Sequence, residues 1–285
     1  MTIKALLEEG VDFLDARDNA LLDCEVILAY VLGFDREHLI AHFDDAVDAD
    51  LQQLFKNYME RIEDGEPIAY ITGSKEFYGL DFFVDSRVLV PRPETEHLVE
   101  RILSYMRKND GKRYDILDVG TGSCNIPVAI VAALREKGED LIGIFDAVDV
   151  SDDALHVAQI NVAQHGLEDK IHVYQSDLMA DVGDSYDIIV ANLPYIGEES
   201  NRFVSADVEK HEPNVALFGG SNGLELYEKM FLQLIEKDID YKLIVGEFGF
   251  AQSEIMGKLL DKYFEGKWVI DKDYADIDRI FVIIK

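Results

Sequence analysis

From Tyr114 onward, short apolar strands alternate with helical segments, and this alternation constrains the fold more than any other feature. After the first strand and a short glycine-rich loop, a helix is predicted from Ile126 to about Lys137. Such alternation is typical of doubly wound, mostly parallel sheets with helices on both faces. These sheets bind ligands beyond the carboxyl ends of their strands, so functional residues are expected there. The predicted strands are Asp115–Val119, Ile144–Val150, Ile171–Tyr174, Ile188–Ala191, Leu243–Glu247, Trp268–Ile270 and Arg279–Ile284.

The chain before this sheet has a different character. Apolar residues recur at helical spacing through residues 1–72, which predicts a small all-helical domain for binding rather than catalysis. Gly33 is placed to end one of its helices. Strand-forming residues dominate 73–93, and Gly79 separates two aromatic clusters, which predicts a β-hairpin connector. Residues 94–285 are left for the sheet domain.

The charge is strongly one-sided. Lys and Arg number 27 against 57 Asp and Glu, so the formal charge is −30 and the pI is near 4.4. Loose binding to nucleic acid depends on Lys and Arg that neutralise phosphates, and we therefore expect no direct contact with nucleic acid. The charge leaves room for a basic protein partner, but an acidic or salt-adapted proteome is the better explanation of it.

Cysteine content and hydropathy indicate the compartment. The two cysteines, Cys24 and Cys124, are far apart and belong to no metal-binding motif, so neither a disulfide framework nor a zinc site is expected. The first residues lack the apolar core of a signal peptide, and no run approaches the roughly 18 apolar residues of a membrane helix. We expect a cytoplasmic protein without metal or membrane contact.

The strand Ile188–Ala191 ends on Asn192, Leu193, Pro194 and Tyr195. The side-chain carbonyl of Asn192 and the backbone carbonyl of Leu193 are two acceptors suited to the two hydrogens of a planar NH2 group. Pro194 restricts Leu193 to an extended conformation, and Tyr195 adds an aromatic face. This pattern favours chemistry on an amide or a base amine. A strand followed by a proline-containing turn with no binding role could have the same sequence.

A glycine-rich loop follows the first strand. Glycines let the backbone approach a ligand, and the next helix offers its amino end to electronegative groups. Pro127 and Val128 fill the position of the last glycine of GxGxxG, so a dinucleotide site is a poor match. Asp149, which ends the second strand, is suited to accept hydrogen bonds from both ribose hydroxyls. The motif consists of Asp118 near the end of the strand and, in the loop, Gly120, Thr121, Gly122, Ser123 and Cys124.

The third strand ends on Ser176, Asp177 and Leu178. Asp177 is suited to accept from an adenine amine, and Leu178 to cover the ring, although Ser-Asp also commonly begins a turn. Together with the glycine loop, Asp149 and Asn192, these residues stand at consecutive strand ends. The ordered set predicts a nucleoside cofactor laid across the sheet with its reactive end near Asn192.

With these motifs the chain resembles the class I S-adenosylmethionine-dependent methyltransferases. More closely, it resembles the PrmC/HemK family, which methylates the glutamine of the Gly-Gly-Gln motif in peptide chain release factors. The resemblance runs through nearly the whole chain, and its most family-specific part is Val90-Pro-Arg-Pro-Glu-Thr-Glu96. The other shared segments are Gly65-Glu-Pro-Ile-Ala-Tyr-Ile-Thr-Gly73, Phe77-Tyr-Gly-Leu80, Asp118-Val-Gly-Thr-Gly122, Gln175-Ser-Asp177, Glu212-Pro213, Ala216-Leu217, Asp273-Tyr274 and Asp278-Arg279.

The resemblance implies a Rossmann-like methyltransferase fold, S-adenosylmethionine as cofactor and S-adenosylhomocysteine as product. It also implies a monomer that takes the release-factor loop between its two domains. The implied catalytic residues are Asn192, Leu193, Pro194 and Tyr195. The implied substrate-binding residues are Arg92, Pro93, Glu94, Thr95, Asn192, Pro194 and Tyr195. The implied cofactor-binding residues are Asp118, Gly120, Thr121, Gly122, Ser123, Cys124, Asp149, Ser176, Asp177, Leu178 and Asn192. Thr95 is also placed to cap the helix that follows it.

Two positions depart from the family pattern. The family reads Asn-Pro-Pro-Tyr, whereas this chain has Leu193 at the second position. The carbonyl at 193 is kept, but the N–H that proline lacks now needs a partner. Leu178 stands where an aromatic residue often covers the adenine, which is expected to weaken stacking of the cofactor.

Four other functions share parts of this pattern. A sister family methylates a ribosomal-protein glutamine, and N6-adenine methyltransferases use the same NH2-binding motif. The charge of −30 disfavours the second, because base flipping requires an electropositive groove. An NAD oxidoreductase would need the absent third glycine, and a non-catalytic scaffold would not need Asn192 and Tyr195.

Overall fold

A computed structural model describes residues 1–15, 17–108, 113–197 and 205–285, which form two compact units. The first consists of the described residues of Met1–Ser74 together with Ser205–His211. The second consists of those of Lys75–Val204 and Glu212–Lys285. In the described part of the chain, no helix is both long and apolar enough to cross a membrane.

The first unit is helical, as predicted. Gly33 adopts φ of +68° and ends the second helix in the left-handed conformation expected of a glycine at that position. The helices bury one shared apolar core, in which Leu6, Ile27 and Phe55 are almost fully excluded from solvent. The helices are α1 (Ile3–Phe13), α2 (Ala20–Leu32), α3 (Arg36–Ala41), α4 (Ala49–Glu63), α5 (Ile68–Thr72) and a later one, α9 (Ala206–His211).

Helix α9 comes from a part of the sequence that we assigned to the sheet domain. Its last residues contact the end of α4: Lys210 forms an ion pair with Asp64, and Nε2 of His211 lies 3.0 Å from the Asp64 carbonyl oxygen. The helical unit is therefore discontinuous in sequence. Contacts across so many residues leave no local pattern that could have predicted this.

A β-hairpin begins the second unit, as the aromatic clusters predicted. It pairs β1 (Ser74–Phe77) with β2 (Leu80–Phe83). Tyr78 and Gly79 both have positive φ, 54° and 73°, which is the backbone of a tight two-residue hairpin turn. Phe77 and Phe82 are buried in the core beside the main sheet, so the hairpin is anchored by its aromatic side chains.

The main sheet has seven strands in the order β10-β11-β9-β6-β3-β4-β5. The five strands from β9 to β5 are parallel, and β11 pairs antiparallel with both β9 and β10, so β11 alone runs in the opposite direction. The order reverses between β3 and β6, so their carboxyl ends flank the switch point where such sheets bind ligands. The strands are β3 (Tyr114–Val119), β4 (Ile142–Asp149), β5 (Ile171–Gln175), β6 (Ile188–Ala191), β9 (Leu243–Glu247), β10 (Trp268–Lys272) and β11 (Asp278–Ile284).

Helices cover both faces of this sheet, which confirms the predicted fold class. Ile188 and Val190 of β6 face one apolar core, and Ile189 and Ala191 face the other. A strand buried on both faces explains the unbroken apolar run that marks β6 in the sequence. The helices are α6 (Glu96–Lys108), α7 (Asn125–Glu136), α8 (Asp152–Gln164), α10 (Asn214–Leu217), α11 (Glu225–Glu236) and α12 (Ser253–Phe264), and a small pair joins β7 (Ile196–Gly197) to β8 (Phe218–Gly220).

Candidate active site

A cavity opens at the carboxyl ends of the parallel strands and collects most of the residues singled out in the sequence. These are Arg92, Thr95, Gly120, Thr121, Gly122, Ser123, Asp149, Ser176, Asp177, Leu178, Asn192, Leu193 and Pro194. Asp118, Cys124, Pro93, Glu94 and Tyr195 lie outside its lining. Sequence reasoning assigned no cavity role to the apolar residues that line this side of the cavity, because they carry no distinctive chemistry. These are Val215, Phe218 and Leu226, together with Ala216, which was noted only as part of a family segment.

The glycine loop between β3 and α7 brings backbone close to the cavity. Gly120 and Gly122 adopt φ of +76° and +53°. A Cβ at Gly120 would lie 2.9 Å from Cδ2 of Leu193, a distance that real Cβ contacts do not reach. Glycine is favoured there because its φ lies in the left-handed region, and any larger residue would also have to displace the Leu193 side chain. The loop therefore needs glycine for its shape and for its contact with the Asn192–Tyr195 segment.

Asp149 stands at the end of β4, where a ribose-binding carboxylate was predicted. Its Oδ2 accepts a hydrogen bond from the Gly122 N–H at 3.0 Å, and its Oδ1 accepts one from the Ser151 N–H at 2.9 Å. Burial raises the pKa of this carboxyl, and the backbone hydrogen bonds oppose that rise. Each oxygen keeps a second lone pair, so the carboxylate remains able to accept from a ligand.

Asp118 lies behind the glycine loop, with only 1% of its surface exposed. Neither carboxylate oxygen has a hydrogen-bond partner among the described residues, and neither does the buried Oγ1 of Thr121. Burial raises the pKa of Asp118 to about 7; the nearby Thr121 hydroxyl opposes that rise, and the negative charge of Asp149 adds to it. Burial likewise raises the pKa of the Cys124 thiol. Unsatisfied buried polar atoms beneath a glycine loop suit the polar groups of a nucleoside cofactor.

The segment after β5 forms a tight turn at the cavity. Oγ of Ser176 donates to the Leu178 carbonyl at 2.8 Å, and this bond supports Leu178 in a left-handed conformation with φ of +55°. The Leu178 side chain is buried and lines the cavity. The carboxylate of Asp177 is exposed and forms an ion pair with Lys229 at 2.6 Å, which holds it at the rim.

Asn192 has a defined hydrogen-bond partner at the end of β6. Its Nδ2 donates to Oγ1 of Thr95 at 3.0 Å, and Oγ1 of Thr95 donates to Oε2 of Glu247 at 2.7 Å. Among the described residues, Oδ1 of Asn192 accepts no hydrogen bond. The prediction that Thr95 caps the next helix is wrong, because its hydroxyl is engaged by a glutamate 152 residues away in the sequence.

Leu193 provides the N–H that the family's proline would lack, and Tyr227 satisfies it. The Leu193 N–H donates to the Tyr227 hydroxyl oxygen at 3.3 Å. The same hydroxyl lies 2.5 Å from the Glu247 carbonyl oxygen and 3.1 Å from that of Ala191. Tyr227 is fully buried, so water cannot replace it. The extra N–H that this chain has in place of the family's proline therefore finds its acceptor in a hydroxyl on α11.

Tyr195 points its hydroxyl toward the protein interior. The hydroxyl donates to Oε1 of Glu247 at 3.1 Å, so Glu247 accepts from both Thr95 and Tyr195. Burial raises the pKa of Tyr195, and the charge of Glu247 raises it further. Burial also raises the pKa of Glu247, whereas the hydrogen bonds that it accepts from Thr95 and Tyr195 lower it. Apart from its position at the end of β9, no sequence pattern pointed to Glu247.

The segment before α6 contains the predicted substrate-binding residues. Arg92 forms an ion pair with Glu212 at 2.6 Å, and the other oxygen of Glu212 accepts from the Val90 N–H at 3.2 Å. This buried glutamate fixes the segment from a distant part of the chain. Pro93 and Glu94 are exposed. In the described ranges, no three His, Cys, Asp or Glu side chains gather as a metal site would require.

Comparison with known proteins decides the family. Residues 5–73 match the family described as PrmC N-terminal domain, and residues 96–210 match the methyltransferase small domain. A release factor glutamine methyltransferase from Koribacter versatilis is 34% identical over 286 residues, which cover 99% of this chain and 98% of the relative. The chain belongs to the release factor glutamine methyltransferase family. A second member, from Bacillus subtilis, is 37% identical over 264 residues, covering 90% of this chain and 88% of the relative.

Solved structures show the fold of this family member independently. The catalytic domain of human hMettl16, crystallised with a hairpin of the MAT2A 3′UTR, aligns with a TM-score of 0.56 and 15% identity. The alignment covers 76% of this chain and 80% of that chain. At this identity the likeness concerns the fold alone. It agrees with the methyltransferase-type sheet predicted from the alternating strands and helices.

Proposed function

We propose that this protein transfers a methyl group from S-adenosylmethionine to the side-chain amide nitrogen, N5, of the glutamine in the Gly-Gly-Gln motif of a peptide chain release factor. One observation carries the proposal. Oδ1 of Asn192 accepts no hydrogen bond from the described residues, while its Nδ2 is held by Thr95. An acceptor held in this way, beside a glycine loop and a strand-end carboxylate, suits a substrate NH2 group.

The residues around the cavity fit the proposed cofactor. Asp149 would accept from the ribose hydroxyls, and Asp177 and Leu178 would contact the adenine. Thr121 and Gly122 line the cavity and would contact the remaining polar groups of the cofactor, while Asp118 lies behind the loop. Ser123 and Cys124 complete that loop. When bound, S-adenosylmethionine supplies an electrophilic methyl group carried by sulfur, and its product is S-adenosylhomocysteine.

The protein groups contribute orientation and electrostatic stabilisation. An amide nitrogen is a weak nucleophile, and it becomes positively charged as its bond to carbon forms. Oδ1 of Asn192 and the carbonyl oxygen of Leu193 accept from its two hydrogens and stabilise that charge without moving. They also hold the nitrogen in one direction, which lowers the entropic barrier. As the nitrogen–carbon bond forms, the bond from sulfur to that methyl carbon breaks; the nitrogen then loses one proton to water, and the glutamine is left with one N–H and one N-methyl group.

The release factor would approach along the segment before α6. Pro93 and Glu94 are exposed, and Arg92 is fixed by Glu212, so this segment offers a preformed surface. Tyr195 would pack near the amide plane, although its hydroxyl is directed to Glu247. Pro194 lines the cavity and limits the freedom of Leu193.

The proposal is tested by locating the methyl group. The protein is incubated with labelled S-adenosylmethionine and, separately, release factor, ribosomal protein or DNA. Label on the glutamine of the release factor is expected. Asn192→Ala should lower kcat by about 10²–10³-fold or more while cofactor affinity changes little. Label on DNA or ribosomal protein alone, or near-normal turnover by the variant, would refute the proposed reaction or the role of Asn192.

A further inference from the structure

The amide of Asn192 has two chemically opposite ends, and only one of them suits the proposed substrate. With Oδ1 toward the cavity, the amide accepts a hydrogen bond from a substrate NH2 group. With Nδ2 toward the cavity, its N–H groups would face the N–H groups of the substrate, and no hydrogen bond could form. The side chain can adopt both orientations by a rotation of about half a turn. Some group must therefore fix the orientation, and the amide itself cannot.

A chain of hydrogen bonds from Glu247 provides that fixation. Oε2 of Glu247 accepts from the hydroxyl of Thr95 at 2.7 Å, so the single hydroxyl proton of Thr95 is committed to this bond. The oxygen of Thr95 is then left as an acceptor. It receives Nδ2 of Asn192 at 3.0 Å, and Oδ1 is directed away from it. Thr95 and Glu247 are 2% and 1% exposed, so water does not compete for these bonds.

We infer that Glu247 is a positioning residue that acts through Thr95 to hold the Asn192 amide with its oxygen toward the substrate. The same carboxylate accepts from the Tyr195 hydroxyl at 3.1 Å. It therefore fixes both ends of the segment from Asn192 to Tyr195. The catalytic consequence of this inference rests on the proposed function. The orientation of the Asn192 amide does not, and it can be measured without substrate.

The test compares two substitutions at position 95. Thr95→Val keeps the shape and removes the hydroxyl, whereas Thr95→Ser keeps the hydroxyl and removes a methyl group. We expect Thr95→Val to lower kcat by about 10²-fold, with KM and cofactor affinity changed by less than about threefold. Thr95→Ser should recover most of that loss. Glu247→Gln should also lower kcat, because one amide oxygen cannot serve two hydroxyl donors in separate positions.

Tyr186→Phe is the matched control. Its buried hydroxyl donates to Oδ2 of Asp146 at 2.7 Å, so the control removes a bond of the same type from the same unit, away from the cavity. It should leave kcat within about twofold of the unmodified protein. If Tyr186→Phe lowers kcat as much as Thr95→Val, general loosening explains the effect and the inference is overturned.

A measurement without substrate separates the inference from the proposed function. In protein labelled with 15N-asparagine, the Nδ2 resonances of Asn192 are assigned by their loss in Asn192→Asp. They should be protected from exchange in the unmodified protein and in Thr95→Ser, and lose that protection in Thr95→Val. Equal protection and equal kcat in the two position-95 variants would overturn the inference. Absence of release-factor methylation by the unmodified protein would overturn the function, while the resonances still report on the amide.

Discussion

The hydrogen bond between Leu193 and Tyr227 can be tested by a double-mutant cycle. Tyr227→Phe removes the hydroxyl that accepts from the Leu193 N–H at 3.3 Å. Leu193→Pro removes that N–H and restores the residue that the family pattern has there. If the Tyr227 hydroxyl is needed because residue 193 carries an N–H, removing that hydroxyl should cost less free energy of unfolding in the Leu193→Pro protein than in the unmodified one.

The magnitude follows from burial. Tyr227 is fully buried and Leu193 is 2% exposed, so the N–H left behind by Tyr227→Phe finds no water. A buried donor without a partner costs about 1–3 kcal/mol. The substitution also removes the one hydroxyl proton that Tyr227 directs toward the carbonyls of Glu247 and Ala191, although both of these residues belong to paired strands. We expect Tyr227→Phe to lower the free energy of unfolding by about 2–3 kcal/mol, and by about 1–2 kcal/mol less in the proline background.

The assay is urea unfolding followed by tryptophan fluorescence. Trp268 is the single tryptophan, and it packs against the same apolar core as Tyr227, so its signal reports on this unit. All four proteins of the cycle are compared by midpoint and slope. Leu193→Pro alone should also be destabilising, because the leucine side chain packs at Gly120. Additivity of the two substitutions within about 0.5 kcal/mol would refute the proposed pairing.

Three further predictions concern the cofactor cavity and the surface. Asp118→Asn should remove a pH dependence of the free energy of unfolding. The Asp118 carboxyl has a pKa near 7 in the folded protein and about 4 in the unfolded chain, so its contribution of about 4 kcal/mol is complete below pH 4 and is lost as the pH rises to about 7. Urea titrations at several pH values should show this loss in the unmodified protein and not in the variant. Gly120→Ala should lower the free energy of unfolding more than Gly122→Ala does, because both positions have positive φ but only a Cβ at position 120 meets Leu193. The backbone strain should cost about 1–3 kcal/mol in each variant, measured by urea unfolding. The affinity for a release factor should fall as salt rises, measured by calorimetry at low and high salt; an unchanged affinity would refute attraction to the charge of −30.

Local patterns were sufficient to predict the sheet and the strand ends that form the cavity. The run Ile188–Ala191 is apolar at every position because both of its faces are buried, and β6 has those bounds. Asp149 and the glycine loop follow their strands directly. For such features the sequence neighbours are also the spatial neighbours, so pattern and structure coincide.

Partners from distant segments could not be predicted. Thr95 looks like a helix cap because Ser and Thr favour that position, yet Glu247 takes its hydroxyl. The need for a partner at the Leu193 N–H was visible in the sequence, but nothing there identified Tyr227. Asp118 was expected to contact the cofactor, and its burial behind the loop depends on how the loop turns. Tertiary packing decides each of these, after the local structure is set.

The return of residues 205–211 to the helical unit has a consequence for synthesis on the ribosome. Helices α1 to α5 are complete once residue 72 has emerged, but α9 follows after more than a hundred further residues. At typical elongation rates the nascent helical core waits on the order of ten seconds for its last segment. During that interval Asp64 lacks Lys210 and His211, so the folding intermediate on the ribosome should expose the end of α4 to chaperones and proteases.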